Sequence, residues 1–218
     1  MRIRKKPYAK PELEASSFYV KNPEENKGIW NTKFKKEQKI YLEVGCGKGV
    51  FTAEFASVNP NINILAIDLI SEMLLETKRN IEKIYADKNV EISNILITSY
   101  NIEQILNILD SKDMVERIYI NFCNPWPKSG HKKRRLTHTR QLEKYKTFLV
   151  KKGEIHFKTD DDSLFNESIK YFEEAGFKIL YKTLDLYSED TTDNILTEHE
   201  KMFIAKGIRI KKLIAALT

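Results

Sequence analysis

Ile40-Tyr-Leu-Glu-Val-Gly-Cys-Gly-Lys-Gly49 decides the fold. Its first five residues are a short, mainly apolar run, the pattern of a strand buried on both faces of a parallel sheet. Gly45, Gly47 and Gly49 then follow at G-x-G-x-G spacing. Glycine is required where a backbone turns tightly or passes close to a ligand. A strand that ends in such a turn and feeds a helix, here over residues 50–58, is the opening unit of a ligand-binding α/β domain.

The same alternation continues along the chain. Residues 63–67 read as a second strand, closed by Asp68. Ser71 is an expected cap for a helix running to about Ala86, with Glu72 to Glu76 supplying first-turn carboxylates. Further strands are expected over 91–98, 117–122, 154–158, 177–186 and 201–205, and helices over 102–109, 136–150 and 163–175. Gly176 suits the C-terminal stop of the last helix. Strand–helix alternation of this kind implies a doubly wound, mostly parallel, seven-stranded sheet, with ligands at the edge where the strands end. Residues 1–38 read as a basic arm and docking segment, and 39–218 as a single domain. The arm holds Arg2, Arg4, Lys5, Lys6 and Lys10, with Pro7 and Pro11 as helix breakers. It suits either a phosphate backbone or a solvated tail. Trp30 and Phe34 are the docking residues.

Composition narrows the class. Among 218 residues, 41% are hydrophobic and 31% charged, enough for a core beneath a soluble surface. No apolar run is long enough to cross a bilayer, and no secretion signal is evident, so a cytoplasmic location is expected. Two cysteines, Cys46 and Cys123, argue against a disulfide scaffold. They read as a neighbouring pair at strand ends or as two buried apolar thiols. The net charge of +6 suits a polyanionic partner.

A dinucleotide fingerprint would want its third glycine at position 50, which is valine. Glu43 would also repel a pyrophosphate. A cofactor bearing a positive amino group fits better, and S-adenosylmethionine has one. Asp68 is placed to accept two hydrogen bonds from a ribose diol. Later, Asn124-Pro-Trp126 ends the fourth strand. Proline makes the turn rigid and restricts the residue before it. The Asn amide can then accept from or donate to a base edge, and Trp126 offers a stacking face.

Glu43-Val-Gly-Cys-Gly-Lys-Gly49, Asn121-Phe-Cys-Asn-Pro-Trp-Pro-Lys128, His131-Lys-Lys-Arg-Arg-Leu-Thr137, His156-Phe-Lys-Thr-Asp160 and Thr197-Glu-His-Glu200 resemble the signature blocks of the bacterial tRNA (guanine-N7)-methyltransferases. They stand in the family's order over nearly the whole chain, opening with Arg2-x-Arg4-x-Lys6-Pro7. The resemblance implies the S-adenosylmethionine-dependent, Rossmann-like methyltransferase fold. It also implies methyl transfer to N7 of a guanine in tRNA, position 46 of the variable loop. By motif it assigns Glu43, Gly45, Gly47, Asp68, Asn101 and Asn124 to the cofactor. Lys128, Asp160, Thr197, Glu198, His199 and Glu200 go to the target nucleotide. Asn124 is the catalytic position, where the family usually has Asp, and Ser99-Tyr-Asn101 replaces the usual Asp-Ala pair.

The basic stretch 128–140 suits phosphates flanking a flipped nucleotide, with Lys132, Lys133, Arg134 and Arg135 as expected contacts. Asp160, Asp161 and Asp162 lack a matching acid–His set, so no metal is expected. Asp162 or Ser163 is the expected cap of the next helix, and Thr197 with Glu200 reads equally as a pocket wall or a helix-cap pair. The expected partner is tRNA, with no membrane, acting as a monomer or homodimer. Two other functions compete: methylation of an exocyclic base nitrogen, and a non-catalytic tRNA-binding relative. A nicotinamide dehydrogenase is disfavoured by Val50 and Glu43.

Overall fold

The computed structural model describes residues 6–188 and 194–218. Arg2, Arg4 and Lys5 of the expected arm lie outside the described residues, as does the Glu198 side chain. The chain divides into two compact units, Met1–Asp113 and Met114–Thr218.

In the first unit, α1 (Ala9–Glu14) and a short strand β1 (Tyr19–Val20) precede β2 (Lys39–Val44). Then come α2 (Val50–Val58), β3 (Ile62–Asp68), α3 (Ser71–Asp87) and β4 (Ile95–Ser99). The strands lie in the order β1-β4-β3-β2, all parallel. Ile64 to Ile67 of β3 are fully buried, which is why the run is apolar without alternation. Trp30 is also fully buried, and its indole N–H donates to the Ile108 carbonyl at 2.6 Å. Asp113 accepts from the backbone N–H groups of Gly28 and Trp30, which ties this segment down.

The second unit runs β5 (Val115–Asn121), α4 (Thr139–Tyr145), β6 (Leu149–Thr159), α5 (Asp162–Glu174), β7 (Phe177–Thr183), α6 (Glu198–Ala205) and β8 (Lys211–Leu217). Its order is β5-β6-β8-β7, with β5 parallel to β6 and the other pairs antiparallel. Phe157 of β6 stacks on Phe165 of α5, closing that face of the core.

The α/β class and mainly parallel pairing stand as expected, and several details differ. Eight strands are described, the added one being β1, which borrows only two residues from the docking segment. Residues 201–205 form helix, not strand, and the last strand is β8. A complete capping box between Thr197 and Glu200 starts α6 and overrides a short apolar run that fits either structure. The helix expected over 136–150 ends at Tyr145, because Leu149 already pairs with Val115 in the sheet. Val150–Gly153 then bulge out of register before Glu154 pairs with Arg117. Residues 102–107 form 3-10 helix with a break at Gln104.

Candidate active site

Parallel pairing puts the ends of β2, β3 and β4 at one edge. The N–H groups of Gly45 and Cys46 both donate to the Ile67 carbonyl, so the glycine turn folds back over β3. Gly45, Gly47 and Gly49 all have positive φ, at 77°, 57° and 67°. Two of these positions serve different ends. A Cβ on Gly49 would lie 2.2 Å from Thr77 Cγ2, so this glycine seats the turn against α3. A Cβ on Gly47 would meet only Met73 Cε, at 3.8 Å, so that position borders open space. The Thr77 hydroxyl donates to the Gly47 carbonyl and Asn80 Nδ2 to that of Lys48, fixing the turn from behind.

Asp68 accepts from Gly47 N–H and from Ile70 N–H, each at 2.9 Å. The carboxylate thus keeps acceptor capacity for a further donor. Burial raises its pKa above the ordinary value, against those backbone hydrogen bonds. Ser71 is the first helical residue rather than a cap. The cap position is Ile70, whose N–H Asp68 takes. Glu43 is buried beside the turn and accepts from the Thr52 hydroxyl. Asn101 follows β4 and uses Oδ1 to accept from Glu103 N–H. Thus Glu43, Gly45, Gly47, Asp68 and Asn101 gather at one sheet edge. Sequence reading missed Leu69 and Ile70, which are 62% and 39% exposed directly after Asp68. Their signal is two apolar residues continuing past a strand's closing acid. The Cys46 thiol sits in the same turn, and burial pushes its pKa well above the ordinary value.

In the second unit, Asn121 pairs with Lys158, so the ends of β5 and β6 share an edge. Phe122 and Trp126 both take left-handed backbone, with φ of 51° and 42°. Bulky residues rarely do, and such strain concentrates at functional turns. Phe122 N–H donates to the Lys158 carbonyl, and Asn124 Oδ1 accepts from Trp126 N–H at 3.1 Å. The Asn124 amide therefore holds the turn with its oxygen and keeps its NH₂ group as a donor.

The basic stretch sorts into different roles. Arg135 is 1% exposed. Its Nε donates to the Pro125 carbonyl at 2.7 Å and a terminal nitrogen to Glu167 at 2.8 Å. It pins the Asn-Pro-Trp turn to α5, so the expected phosphate contact at Arg135 is corrected: no face of it is available. Lys132 also pairs with Glu167, at 2.8 Å. Glu167 further accepts from Tyr171 and Ser163. Its pKa falls to about 2, first through the Lys132 hydrogen bond. Arg134 lies over the Trp126 ring at 5.1 Å, covering one face proposed for base stacking, while His131 meets the ring edge-on. Lys128 and Lys133 are exposed and make no side-chain hydrogen bond or ion pair among the described residues.

Beyond β6, Asp161 caps α5 by accepting from Leu164 N–H, a role expected of Asp162 or Ser163. Asp162 instead pairs with Lys211, whose Nζ also donates to the Asp160 carbonyl. The Asp160 carboxylate is half-buried with no hydrogen-bond donor among the described residues. Glu200 is fully buried. Lys158 Nζ lies 3.0 and 3.1 Å from its two oxygens, and Tyr187, Asn194 Nδ2 and Thr197 N–H donate as well. Direct contact between Glu200 and a nucleotide is therefore corrected too, because every face of the carboxylate is occupied. Thr197 is likewise buried, as the N-cap of α6. His199 is exposed and its ring packs on Phe122, 5.8 Å between centroids, with Phe203 closing the cluster. Lys158 was missed because its partner Glu200 lies 42 positions on, and Tyr187 and Asn194 because they sit in a polar stretch without a helix or strand period. Among the described residues no acid, His and Cys group could hold a metal, and no helix is long and apolar enough to cross a membrane.

This fold, with its glycine turn and closing acid at the ends of parallel strands, is that of the α/β methyltransferases. Two solved structures share it: an antibiotic-related methyltransferase (TM-score 0.59, 16% identity, 82% of this chain and 86% of that one) and a putative S-adenosylmethionine-dependent methyltransferase from Listeria monocytogenes (TM-score 0.54, 16% identity, 88% and 98%). A family model described as putative methyltransferase matches residues 37–213. The tRNA (guanine-N(7)-)-methyltransferase of Clostridium perfringens is 59% identical over 216 residues, covering 99% of each chain. That of Clostridium beijerinckii is 59% identical over 215 residues, covering 99% of this chain and 98% of its own. This chain belongs to the tRNA (guanine-N7)-methyltransferase family.

Proposed function

We propose that this protein transfers a methyl group to N7 of a guanine in tRNA, position 46 of the variable loop being the expected target. The full-length relation to the clostridial enzymes carries this reading, and the residues present fit its chemistry. Bound S-adenosylmethionine would supply an electrophilic sulfonium methyl.

Glu43, Gly45, Gly47, Asp68 and Asn101 would hold that cofactor. The open side of Gly47 leaves room for it, and Asp68 keeps acceptor capacity for a diol. The exposed Leu69 and Ile70 offer apolar surface to its base. Asp160, with an uncommitted carboxylate, suits the N1–H and amino group of guanine, a two-donor edge that a carboxylate matches. Lys128 and Lys133 suit phosphates.

Asn124 acts by position. Guanine N7 carries an in-plane lone pair and no proton, so no general base is needed. The remaining work is alignment and exclusion of water, which can be worth several kcal/mol. Asn124 is locked by Trp126 N–H and keeps its NH₂ free for the base edge. Thr197 and Glu200 act through α6, and among the described side chains of that segment His199 is the exposed one, available to a nucleotide.

The test is incubation of purified protein with labelled S-adenosylmethionine and unmodified tRNA, followed by nuclease digestion and mass spectrometry. The expected product is 7-methylguanosine at one site. A methyl on an exocyclic nitrogen, or no transfer, would refute the reading.

A further inference from the structure

Residues 201–218 contain Lys201, Lys206, Arg209, Lys211 and Lys212, and no Asp or Glu. Lys211 is buried and paired with Asp162, so it belongs to the fold. Lys201, Lys206 and Arg209 differ. All three are exposed, and none makes an ion pair or side-chain hydrogen bond among the described residues. Arg209 reaches Asp162 only through its longer-range charge. The three cations lie on α6 and the turn that leads to β8.

That turn is held firmly. Glu200, one residue before Lys201, is locked to Lys158. Gly207 N–H donates to the Ile204 carbonyl and Ile208 N–H to that of Phe203, closing the helix end. Gly207 has φ of 68°, the left-handed geometry of a helix C-terminal stop. A fixed helix whose exposed cations have no ion-pair partner among the described residues, beside the exposed His199 ring, is charge-complementary to a polyanion lying along it.

We infer that Lys201, Lys206 and Arg209 form a second tRNA phosphate-contact surface, separate from the cations of residues 128–134. It rests on the proposed reading and adds where the RNA backbone runs. Exposed Met202, Ile204 and Ile208 are interleaved with these cations, a mixture that could also suit an anionic membrane. The eight-residue length of α6 disfavours that occupant, because so short a helix buries little apolar face.

Full-length protein and a Lys201→Ala/Lys206→Ala/Arg209→Ala variant are titrated with unmodified tRNA over a salt series. A charge-matched control carries Lys151→Ala, Lys178→Ala and Lys182→Ala, three exposed cations of the same unit. Each lost phosphate contact removes about 0.7–0.9 from the slope of log affinity against log salt. The triple variant is expected to lose roughly 2 units of slope and at least about tenfold in affinity at moderate salt. The control should shift far less, and both should bind S-adenosylmethionine like the parent. Affinity and slope equal to the control's would overturn the inference. Loss of binding to anionic vesicles in the triple variant, with tRNA affinity unchanged, would overturn it in favour of a membrane. Failure of the parent to make 7-methylguanosine would count against the functional reading alone, since the binding series reads the surface directly.

Discussion

Replacing Lys158 with methionine leaves the Glu200 carboxylate fully buried and without its cation. Breaking one side of a buried pair costs about 3–5 kcal/mol, because the remaining charge stays out of water. For a chain of this size each kcal/mol lowers Tm by roughly 2–4 °C, so Lys158→Met should melt about 6–20 °C lower. Adding Glu200→Gln removes the charge, and Gln at the third helical position still serves a capping box. The double variant should therefore recover most of the loss. Thermal or urea unfolding of the two singles and the double gives the coupling. A double that falls at the sum of the singles, to within about 0.5 kcal/mol, refutes the buried-pair argument.

The same pair predicts a pH dependence. Burial raises the Glu200 pKa, but the Lys158 charge and the Asn194 and Thr197 hydrogen bonds outweigh it, so the net shift is downward. A depressed carboxylate stabilises the fold above its unfolded pKa and loses that stabilisation as pH falls through the folded one. The wild-type should thus lose stability at acid pH, and the Lys158→Met/Glu200→Gln double less steeply. Equal acid slopes would show that Glu200 titrates as a free group.

Other expectations follow from the same geometry. Glu167→Gln should flatten the drop in Tm between about pH 4.5 and pH 2, the window between an ordinary carboxylate and its pKa of about 2; parallel melting curves for variant and wild-type would refute this. The His156 imidazole, lowered to about 4 by burial first and the Arg117 charge next, should remain neutral by NMR at pH 5.5; titration near 6.5 would contradict the packing at β6. Gly49→Ala, facing both positive φ and Thr77, should cost about 2–4 kcal/mol and weaken cofactor binding by calorimetry, with partial rescue by Thr77→Ser; wild-type Tm would remove the steric argument. Asn124→Asp should keep methyl transfer within about tenfold because it still accepts from Trp126 N–H, whereas Asn124→Ala should fall about a hundredfold; a silent wild-type rescued by Asp would restore a general base to the mechanism.

What could be read from the residues follows the range of the forces involved. The glycine turn, α2 and β3 are set by neighbours in sequence, and the expected spans nearly coincide with the observed ones. Asp68 at its strand's end follows from the same local pattern. The errors arise where distant partners decide. Lys158 reads as one residue of an alternating strand, yet its meaning comes from Glu200, 42 positions on. Arg134 and Arg135 are adjacent and chemically alike, but the 3-10 turn Ser129–Arg134 sends one over Trp126 and the other into the interior. No composition rule separates them. α6 and β8 were confused because a four-residue apolar run fits both periods, and only the capping box and antiparallel pairing with β6 choose.

Asn124 illustrates how the fold and the chemistry constrain one another. Its side-chain oxygen is already used to hold a strained Trp126, so an acid at this position would spend the same oxygen on the same N–H and bring an extra charge. On the proposed reading that charge is not needed as a base, because N7 of guanine has no proton to give. A neutral amide would meet both needs of that proposal: it fixes the turn through Trp126 N–H and keeps a donor for the base edge. On the same reading the Arg135 pin beneath it, from Pro125 to Glu167, contributes through alignment, by holding this turn in place.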